Sequence, residues 1–361
     1  MVTMRAAVCR GFGQPLTVEE VTLAAPGPFQ VAVRILACAI CHSDIAYADG
    51  AWGGALPAVY GHEAAGQVTA VGPGVRGFAP GDFVLVTLIR ACGHCPACAG
   101  GAPTSCAHAW DAGESPLRDA AGRVLAQGMN TGAFAEAVVV DASQCVPLPA
   151  DLPADLACLL ACGVITGVGA VVNAGRLAPG ASVAVVGAGG VGLNAVQGAA
   201  IAGAGRIVAV DPLPGKLAAA AEFGATDGVL ADEGTGEAIR RLTGGRGVDL
   251  AVVTVGAPSA IGAAAGYLAA GGTLVVVGMP ATGTVVGYDP TGLAALNQTI
   301  TGARMGRAVL ARDIPWLIGH WRAGRLKLAE LVSGRWRLEE INPAIAASRS
   351  GAARRNVVVF G

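Results

Sequence analysis

The sequence predicts an α/β protein with two domains, a β-rich domain followed by a doubly wound parallel sheet. Up to about residue 160, short apolar segments alternate with Gly and Pro turns, which is typical of antiparallel β-structure. From about residue 163, apolar strand segments alternate with helical segments, which is typical of a parallel sheet. A chain of 361 residues is long enough to form both domains.

The individual elements follow from these patterns. The predicted strands of the first domain are RAAVCR, VAVRILAC, AAGQVTAVG, FVLVTLI and FAEAVVV. In the second domain, the strands VAVVG, RIVAVD, VDLAVVTVG and GTLVVVG are separated by helical segments such as KLAAAAEFGA and AIGAAAGYLAA. The polar stretch 107–132 is predicted to be the longest loop, and the terminal NVVVF a strand that returns to the first domain. We therefore assign residues 1–162 and 303–361 to the first domain and residues 163–302 to the second.

Composition limits the classes of partner. The formal net charge of −1 does not indicate binding to nucleic acid or to an acidic membrane surface. The mean hydropathy of +0.57 is high, and residues 177–205 carry no charge. That stretch contains SVAVV, GAGGVG and LNAVQGAAIA, which predict a buried strand, a tight turn and a helix rather than a membrane span. The first residues show no secretory signal, so we expect a cytoplasmic protein whose cysteines serve metal binding or catalysis.

The segment 187–192, with the sequence GAGGVG, predicts a dinucleotide site because it follows a strand and opens a helix. Gly187 permits the tight turn, Gly189 lets the backbone approach a pyrophosphate, and Gly192 lets the helix lie close to the strand. The next strand ends in Asp211, about 20 residues further on, where a carboxylate binds the ribose hydroxyls of NAD and repels a 2′-phosphate. The alternative is a glycine-rich turn in an unrelated α/β domain.

Four cysteines on one loop predict a closed metal site, in the order C-x2-C-x2-C-x7-C: Cys92, Cys95, Cys98 and Cys106. Four thiolates complete a tetrahedral shell around zinc and leave no open position, so the site is structural and holds a lobe at about residues 90–107. His94 and His108 are superfluous if all four sulfurs bind. An iron–sulfur cluster is the main alternative.

A second set of metal-binding residue types is dispersed along the chain, in CHSD, GHE and ACGVITGVG: Cys41, His62, Glu63 and Cys162. Two thiolates, an imidazole and a carboxylate suit a catalytic zinc with one open position. Taken singly, Cys162 is equally a core thiol and His62 a loop histidine. The remaining cysteines lie in apolar segments and are predicted to be core residues: Cys9, Cys38, Cys145 and Cys158.

The order of these motifs resembles the zinc-dependent medium-chain alcohol dehydrogenase family over essentially the whole chain. The motifs are CHSD, GHE, the four-cysteine lobe, CGxxTG, GxGGxG and the aspartate after the second strand of the parallel sheet. The resemblance implies a GroES-like catalytic domain, a Rossmann domain that binds NAD, and two zinc ions per chain. It also implies that an alcohol and its aldehyde are interconverted by hydride transfer.

The resemblance assigns roles around the catalytic zinc. Its ligands are Cys41, His62 and Cys162, with Glu63 as an alternate ligand. Asp44 orients His62. The hydroxyl of Ser43, which follows Cys41 by two positions, hydrogen-bonds the alcohol and takes its proton.

The resemblance also assigns residues to the cofactor and to the substrate. His42 and Arg355 meet the pyrophosphate, and Lys216 reaches the adenosine ribose. The full set of implied cofactor contacts is His42, Thr166, Gly187, Gly189, Gly190, Val191, Gly192, Asp211, Lys216, Val277 and Arg355. The implied substrate pocket is apolar, and favours apolar or aromatic primary alcohols, because it contains Trp52, Leu88 and Met279.

One position departs from the family pattern. Many members carry a histidine five residues after the first zinc cysteine, where it delivers the proton to solvent, and this chain has Ala46 there. A methyl group has no proton to exchange, so the usual exit route for the proton is missing.

Two other functions are compatible with the sequence. One is a thiol-adduct formaldehyde dehydrogenase, which oxidises an S-hydroxymethyl thiol, and the other is a non-catalytic protein that binds zinc and nucleotide. The strand GTLVVVG resembles the edge through which relatives pair their Rossmann sheets, which implies a homodimer or a homotetramer.

Overall fold

A computed structural model of the chain describes residues 1–111, 113–351 and 353–361. The described chain forms two compact units. The first comprises Met1–Cys162, Val309–Ile314 and Leu328–Gly361, and the second comprises Gly163–Ala308 and Pro315–Lys327.

The described residues form strands and helices in the following order. The strands are β1 (Val2–Cys9), β2 (Thr17–Leu23), β3 (Gln30–Ala39), β4 (Ala58–Val59), β5 (Glu63–Val71), β6 (Phe83–Thr87), β7 (Leu117–Asp119), β8 (Val124–Gln127), β9 (Ala137–Asp141), β10 (Cys145–Pro147), β11 (Ser182–Val186), β12 (Arg206–Asp211), β13 (Asp227–Leu230), β14 (Val248–Val253), β15 (Leu268–Val276), β16 (Thr299–Gly302), β17 (Val332–Trp336) and β18 (Arg355–Val359). The α-helices are α1 (His42–Ala48), α2 (Pro96–Ala99), α3 (Ala154–Ala157), α4 (Gly163–Gly169), α5 (Gly190–Ile201), α6 (Pro214–Glu222), α7 (Thr235–Leu242), α8 (Pro258–Ala264), α9 (Pro290–Ala295), α10 (Leu310–Arg322) and α11 (Ile341–Arg349).

The first unit contains a closed barrel and a sheet. The barrel order is β1-β2-β7-β8-β4, and the sheet order is β10-β6-β5-β3-β18-β17, with β9 also paired to β3. The terminal strand β18 pairs antiparallel with β3, as predicted for NVVVF. The core cysteines predicted from their apolar segments, Cys9, Cys38, Cys145 and Cys158, are all buried.

The second unit is built on a six-stranded parallel sheet in the order β13-β12-β11-β14-β15-β16. This is the strand order of a Rossmann fold, with β11 as its first strand. The central strands are nearly continuous runs of buried apolar residues, because helices cover both faces of such a sheet. The uncharged stretch 177–205 forms β11, the glycine turn and α5, as predicted.

Three sequence predictions about the fold are corrected. The predicted loop 107–132 contains β7 and β8, which complete the barrel, and residue 112 lies outside the described residues. The segment GTLVVVG is not an edge, because β16 pairs with β15 and is itself the last strand of the sheet. The chain does not return to the first unit at residue 303, since the turn Arg304–Arg307 packs on α4 of the second unit.

The close approach of that turn to α4 explains the last correction. A Cβ on Gly169 would lie 2.4 Å from the carbonyl oxygen of Gly306, so the two backbones touch.

Within the described residues, no single helix has the length and apolar character needed to cross a membrane. The consecutive helical segments Ala154–Ala161 and Gly163–Ala174 reach that length only together, with a bend of 47° between them.

Candidate metal centres and cofactor turn

The first candidate ligand, Cys41, immediately precedes α1, and the local sequence CHSD holds it there. Cys41 is the N-cap of the helix, and Asp44 at the third helical position accepts a hydrogen bond from the Cys41 backbone N–H at 3.0 Å. This is one half of a capping box, in which an acidic side chain returns to the start of its own helix. The thiol of Cys41 is therefore presented from a defined backbone position.

Asp44 also holds the second candidate ligand. Its carboxylate is 1% exposed and accepts hydrogen bonds from the Gly61 backbone N–H and from Nδ1 of His62, each at 2.9 Å. A proton on Nδ1 leaves the lone pair of the imidazole on Nε2. One buried carboxylate thus fixes the backbone of Cys41, the backbone before His62, and the tautomer of His62.

The third candidate ligand, Cys162, lies between the 3₁₀ segment Cys158–Ala161 and α4. Its position depends on Thr87 at the end of β6, whose hydroxyl donates a hydrogen bond of 2.6 Å to the carbonyl oxygen of Ala161. Thr87 is fully buried, and no motif in the sequence indicated this role.

The structure brings the dispersed residues into one buried cluster. One ligand atom from each of four residues lies within 4.8 Å of all the others: Cys41, His62, Glu63 and Cys162. Nε2 of His62 is buried and makes no hydrogen bond of good geometry with a described residue. Two sulfurs, one imidazole lone pair and one carboxylate therefore converge as zinc ligands do.

The electrostatics of the cluster favour a thiolate. A hydrogen bond with Cys162 lowers the pKa of Cys41 well below its usual value, although burial opposes this, and the same hydrogen bond raises the pKa of Cys162. Metal ions bind the thiolate form of cysteine. Burial raises the pKa of Glu63 to about 7, against the opposing effect of the Arg355 charge.

Arg355 lies beside this cluster. It begins β18, is 5% exposed, and forms an ion pair with Oε1 of Glu63 at the start of β5. Burial would lower the pKa of Arg355, but the charges of Glu63 and Cys41 outweigh it and raise the pKa. The family resemblance implied only a pyrophosphate contact for Arg355, and no local motif indicates its pairing with Glu63, because β5 and β18 are far apart in the chain.

The four cysteines of the lobe also converge. Their sulfurs lie within 4.8 Å of one another, and the Cys95 and Cys106 sulfurs are 4.0 Å apart. Sulfurs that share a zinc ion at about 2.3 Å are separated by roughly 3.8 Å, so the spacing fits. Backbone N–H groups donate hydrogen bonds to the sulfurs. The hydrogen bond from the backbone N–H of Cys98 to the sulfur of Cys95 lowers the pKa of Cys95 to about 6.

Replacing Cys95 with serine is expected to remove the metal of the lobe and to destabilise it. The lobe has a very small apolar core, formed around Cys95, Cys106 and Ala109, so metal binding contributes directly to its folding. Metal content should fall by one ion per chain, and limited proteolysis should cut within residues 90–111. The control is Ser105→Ala, at an exposed position of the same lobe. Unchanged metal content in Cys95→Ser would contradict the four-sulfur site.

The glycine turn has the geometry of a cofactor turn. Gly187 has φ +92°, which favours glycine, and a Cβ on Gly192 would lie 1.8 Å from the carbonyl oxygen of Gly187. Gly189 faces open space, since a Cβ there would meet nothing within 4 Å. Asp211 at the end of β12 accepts hydrogen bonds from the backbone N–H groups of Ala188 and Leu213, at 2.9 and 3.0 Å. Its carboxylate therefore also supports the turn, a role that the sequence did not indicate.

The other predicted site residues are distributed over both units. Ser43 is half-buried on α1 and its hydroxyl makes no hydrogen bond within the described part of the chain, whereas His42 beside it is exposed. Trp52 packs edge-on against Tyr47, with ring centroids 5.1 Å apart, and Leu88 is buried. The remaining predicted residues lie in the second unit, where Thr166 is buried, Lys216 and Val277 are half-buried, and Met279 is 63% exposed.

Comparison with known families identifies the class of protein. Residues 27–150 match the family model described as "Alcohol dehydrogenase GroES-like domain", and residues 190–320 match the one described as "Zinc-binding dehydrogenase". A geraniol dehydrogenase from Castellaniella defragrans is 36% identical, with 99% of this chain and 98% of the relative covered. An NDMA-dependent alcohol dehydrogenase from Amycolatopsis methanolica is 34% identical, with 98% of each chain covered.

Solved structures agree with this classification. The structure of an alcohol dehydrogenase zinc-binding domain protein from Burkholderia ambifaria superimposes with a TM-score of 0.96 and 38% identity, covering 100% of this chain and 99% of that one. A benzyl alcohol dehydrogenase from Acinetobacter calcoaceticus superimposes with a TM-score of 0.93 and 29% identity over the whole of both chains. The chain belongs to the zinc-binding alcohol dehydrogenase family, so the predicted resemblance and the predicted GroES-like and Rossmann fold are confirmed. It is an enzyme of the alcohol oxidoreductase type.

Proposed function

We propose that this protein is a zinc-dependent, NAD-linked alcohol dehydrogenase with two zinc ions per chain. The observation that carries the proposal is the buried convergence of Cys41, His62, Glu63 and Cys162 around the lone pair of His62. A buried carboxylate that sets the tautomer of a histidine, as Asp44 does for His62, is the usual outer partner of a metal-binding histidine. The four-sulfur lobe, which has no open position, is the structural site in this proposal.

The chain's own residues have defined tasks in this reaction. When bound, zinc and NAD supply Lewis-acid activation of the alcohol oxygen and acceptance of a hydride. Asp44 keeps the lone pair of His62 on Nε2, and Ser43 takes the proton of the alcohol. Arg355 pairs with Glu63 and opposes the rise in the pKa of that carboxyl group that burial causes. Ala46 has no exchangeable proton, so the onward path of the proton does not use that side chain.

An alcohol panel with NAD tests the proposed function. Aliphatic, allylic and aromatic primary alcohols should be oxidised, with loss of activity after chelation and recovery with zinc. Omission or addition of a low-molecular-weight thiol should make no difference, which separates this enzyme from a thiol-adduct formaldehyde dehydrogenase. If no alcohol of the panel forms NADH, the proposal is wrong. The protein is then either non-catalytic or uses a hydride acceptor other than free NAD.

We expect apolar or aromatic primary alcohols to be the better substrates, and Trp52→Ala to weaken that preference. Relatives named for geraniol and for benzyl alcohol support this substrate class. A large ring contributes strongly to binding through buried area. The KM for benzyl alcohol should rise at least about tenfold more than the KM for ethanol. Trp316→Ala, which removes a partly exposed ring of α10, should change neither constant. Equal changes for both alcohols would assign Trp52 a packing role only.

We expect NAD to be preferred over NADP, because Asp211 repels a 2′-phosphate and Pro212 and Leu213 supply no arginine to offset it. Asp211→Asn removes the charge but keeps one acceptor oxygen for the backbone of the glycine turn. The ratio of kcat/KM between the two cofactors should therefore narrow, and the melting temperature should fall, because one of the two backbone N–H groups that donate to Asp211 loses its acceptor. The control is Asp227→Asn at the start of β13, which should leave the ratio unchanged. Equal use of both cofactors by the wild type would contradict the role of Asp211.

We further propose a cytoplasmic homodimer or homotetramer. A reducing compartment suits an enzyme whose two metal sites require six thiolates. In the described sheet β16 pairs only with β15, so its other side is the edge available for pairing with a second copy. Light scattering coupled to size-exclusion chromatography measures the assembly directly, and a monomer would contradict it.

A further inference from the structure

A second group of metal-binding side chains lies on the lobe, outside the four-sulfur set. One ligand atom from each of Cys92, His94 and His108 lies within 4.8 Å of the other two. The two imidazole rings are stacked at a centroid distance of 5.9 Å with 28° between their planes. The structure brings the two histidines together, although His94 lies between the first two cysteines of the lobe and His108 follows the last one.

The hydrogen bonds of the two rings prepare them as ligands. Nδ1 of His94 lies 2.8 Å from the carbonyl oxygen of Cys92, and Nδ1 of His108 lies 2.9 Å from Oδ2 of Asp111. Both partners are acceptors, so each Nδ1 carries the proton and each Nε2 carries the lone pair. A carboxylate or carbonyl behind an imidazole is the usual outer partner of a metal-binding histidine.

The backbone beneath the rings is also held in place. The backbone N–H of His108 donates to the sulfur of Cys106 at 3.4 Å, and Arg90 donates to the carbonyl oxygen of His108 at 2.8 Å. The nearby charge of Arg90 is paired with Asp141, which limits its repulsion of a cation. The rings themselves are exposed, so a metal ion has access from solvent.

We propose that Cys92, His94 and His108 form a third metal site, solvent-accessible and weaker than the four-sulfur site, in which the Cys92 thiolate bridges the two metals. Donors that share one metal ion are separated by roughly 3.5 Å, whereas the three ligand atoms lie within 4.8 Å of one another, so binding requires the exposed rings to move closer together. Two imidazoles, one thiolate and solvent suit Ni²⁺, Cu²⁺, Co²⁺ or Zn²⁺. The site does not depend on the catalytic assignment of the buried cluster.

The test uses Ni²⁺ as the probe on the zinc-loaded protein. Imidazole sites bind Ni²⁺ more tightly than Co²⁺, and Ni²⁺ bound to a thiolate gives a charge-transfer absorption. Equilibrium dialysis with metal analysis should find one Ni²⁺ per chain with the zinc content unchanged, together with that absorption. In His94→Gln/His108→Gln the Ni²⁺ affinity should fall at least about tenfold and the absorption should disappear.

Two further variants separate this site from nonspecific binding. Asp111→Ala should weaken Ni²⁺ binding roughly tenfold, since it removes only the acceptor behind His108. His320→Gln, at a histidine outside the lobe, should bind Ni²⁺ as the wild type does. The proposal is overturned if the double variant binds Ni²⁺ equally well, if Ni²⁺ releases zinc one for one, or if Ni²⁺ binds without the thiolate absorption.

Discussion

Replacing Cys41 with serine is expected to abolish alcohol oxidation while most of the fold is retained. Asp44 accepts its hydrogen bond from the backbone of Cys41, so the start of α1 does not depend on the sulfur. The serine hydroxyl is not ionised near neutral pH and is a poor zinc ligand. Removing a residue that only supports a metal ligand lowers activity by up to roughly 100-fold. Because Cys41 is itself a proposed ligand, its replacement should lower kcat by more than that. The measurement combines kcat with zinc content, which should fall from two ions per chain to one.

A matched cysteine variant makes this result specific. Cys145 on β10 is a buried thiol of the same unit that belongs to none of the metal-ligand clusters of the described residues. Cys145→Ser should lower the free energy of unfolding by about 1–3 kcal/mol, because it buries a hydroxyl in an apolar site. It should leave kcat and zinc content unchanged. Full activity in Cys41→Ser, or an equal loss in Cys145→Ser, would show that the catalytic metal lies elsewhere.

Ser43→Ala should reduce kcat by roughly 10²–10⁴-fold, the range typical of a lost proton-transfer group. The side chain lies two positions after Cys41, is half-buried, and makes no hydrogen bond with a described residue, so its hydroxyl is available to a substrate. Zinc content should remain at two ions per chain, which distinguishes this variant from Cys41→Ser. Ser43→Thr keeps a hydroxyl and should recover most of the rate. A Ser43→Ala enzyme with the wild-type rate would remove Ser43 from the reaction.

The neighbouring position extends the same test. Ala46→His restores an exchangeable proton one turn further along α1, and should add an inflection near pH 6.5 to the pH–rate profile. If the wild type already shows that inflection and His42→Gln abolishes it, the proton passes from Ser43 to the ring of His42, which then releases it.

Local motifs were the features that could be predicted in detail. The glycine turn at 187–192 and the four-cysteine lobe each lie within a short segment. Their geometry follows from φ/ψ preferences and ligand spacing. The alternation of strands and helices likewise predicted the parallel sheet, because crossover connections leave few other arrangements.

The positions of some elements could not be read from local patterns. The strands β7 and β8 are three and four residues long in a polar segment, so neither length nor alternation marks them. Both exist because the barrel supplies neighbours, β2 for the first and β4 for the second. The edge of the parallel sheet was misplaced for a similar reason, since β16 is stabilised by pairing with β15 rather than by its own composition.

The sequence by itself therefore determined the fold class, the family, the glycine turn and the two sets of candidate metal ligands. Only the tertiary structure decided which distant groups meet. It paired Glu63 with Arg355, held Ala161 to Thr87, and stacked His94 on His108 beside Cys92. The physical reason is that these contacts join groups whose backbones are positioned by different strands or loops. Their distances depend on how those elements pack, whereas a motif within one turn carries its own geometry.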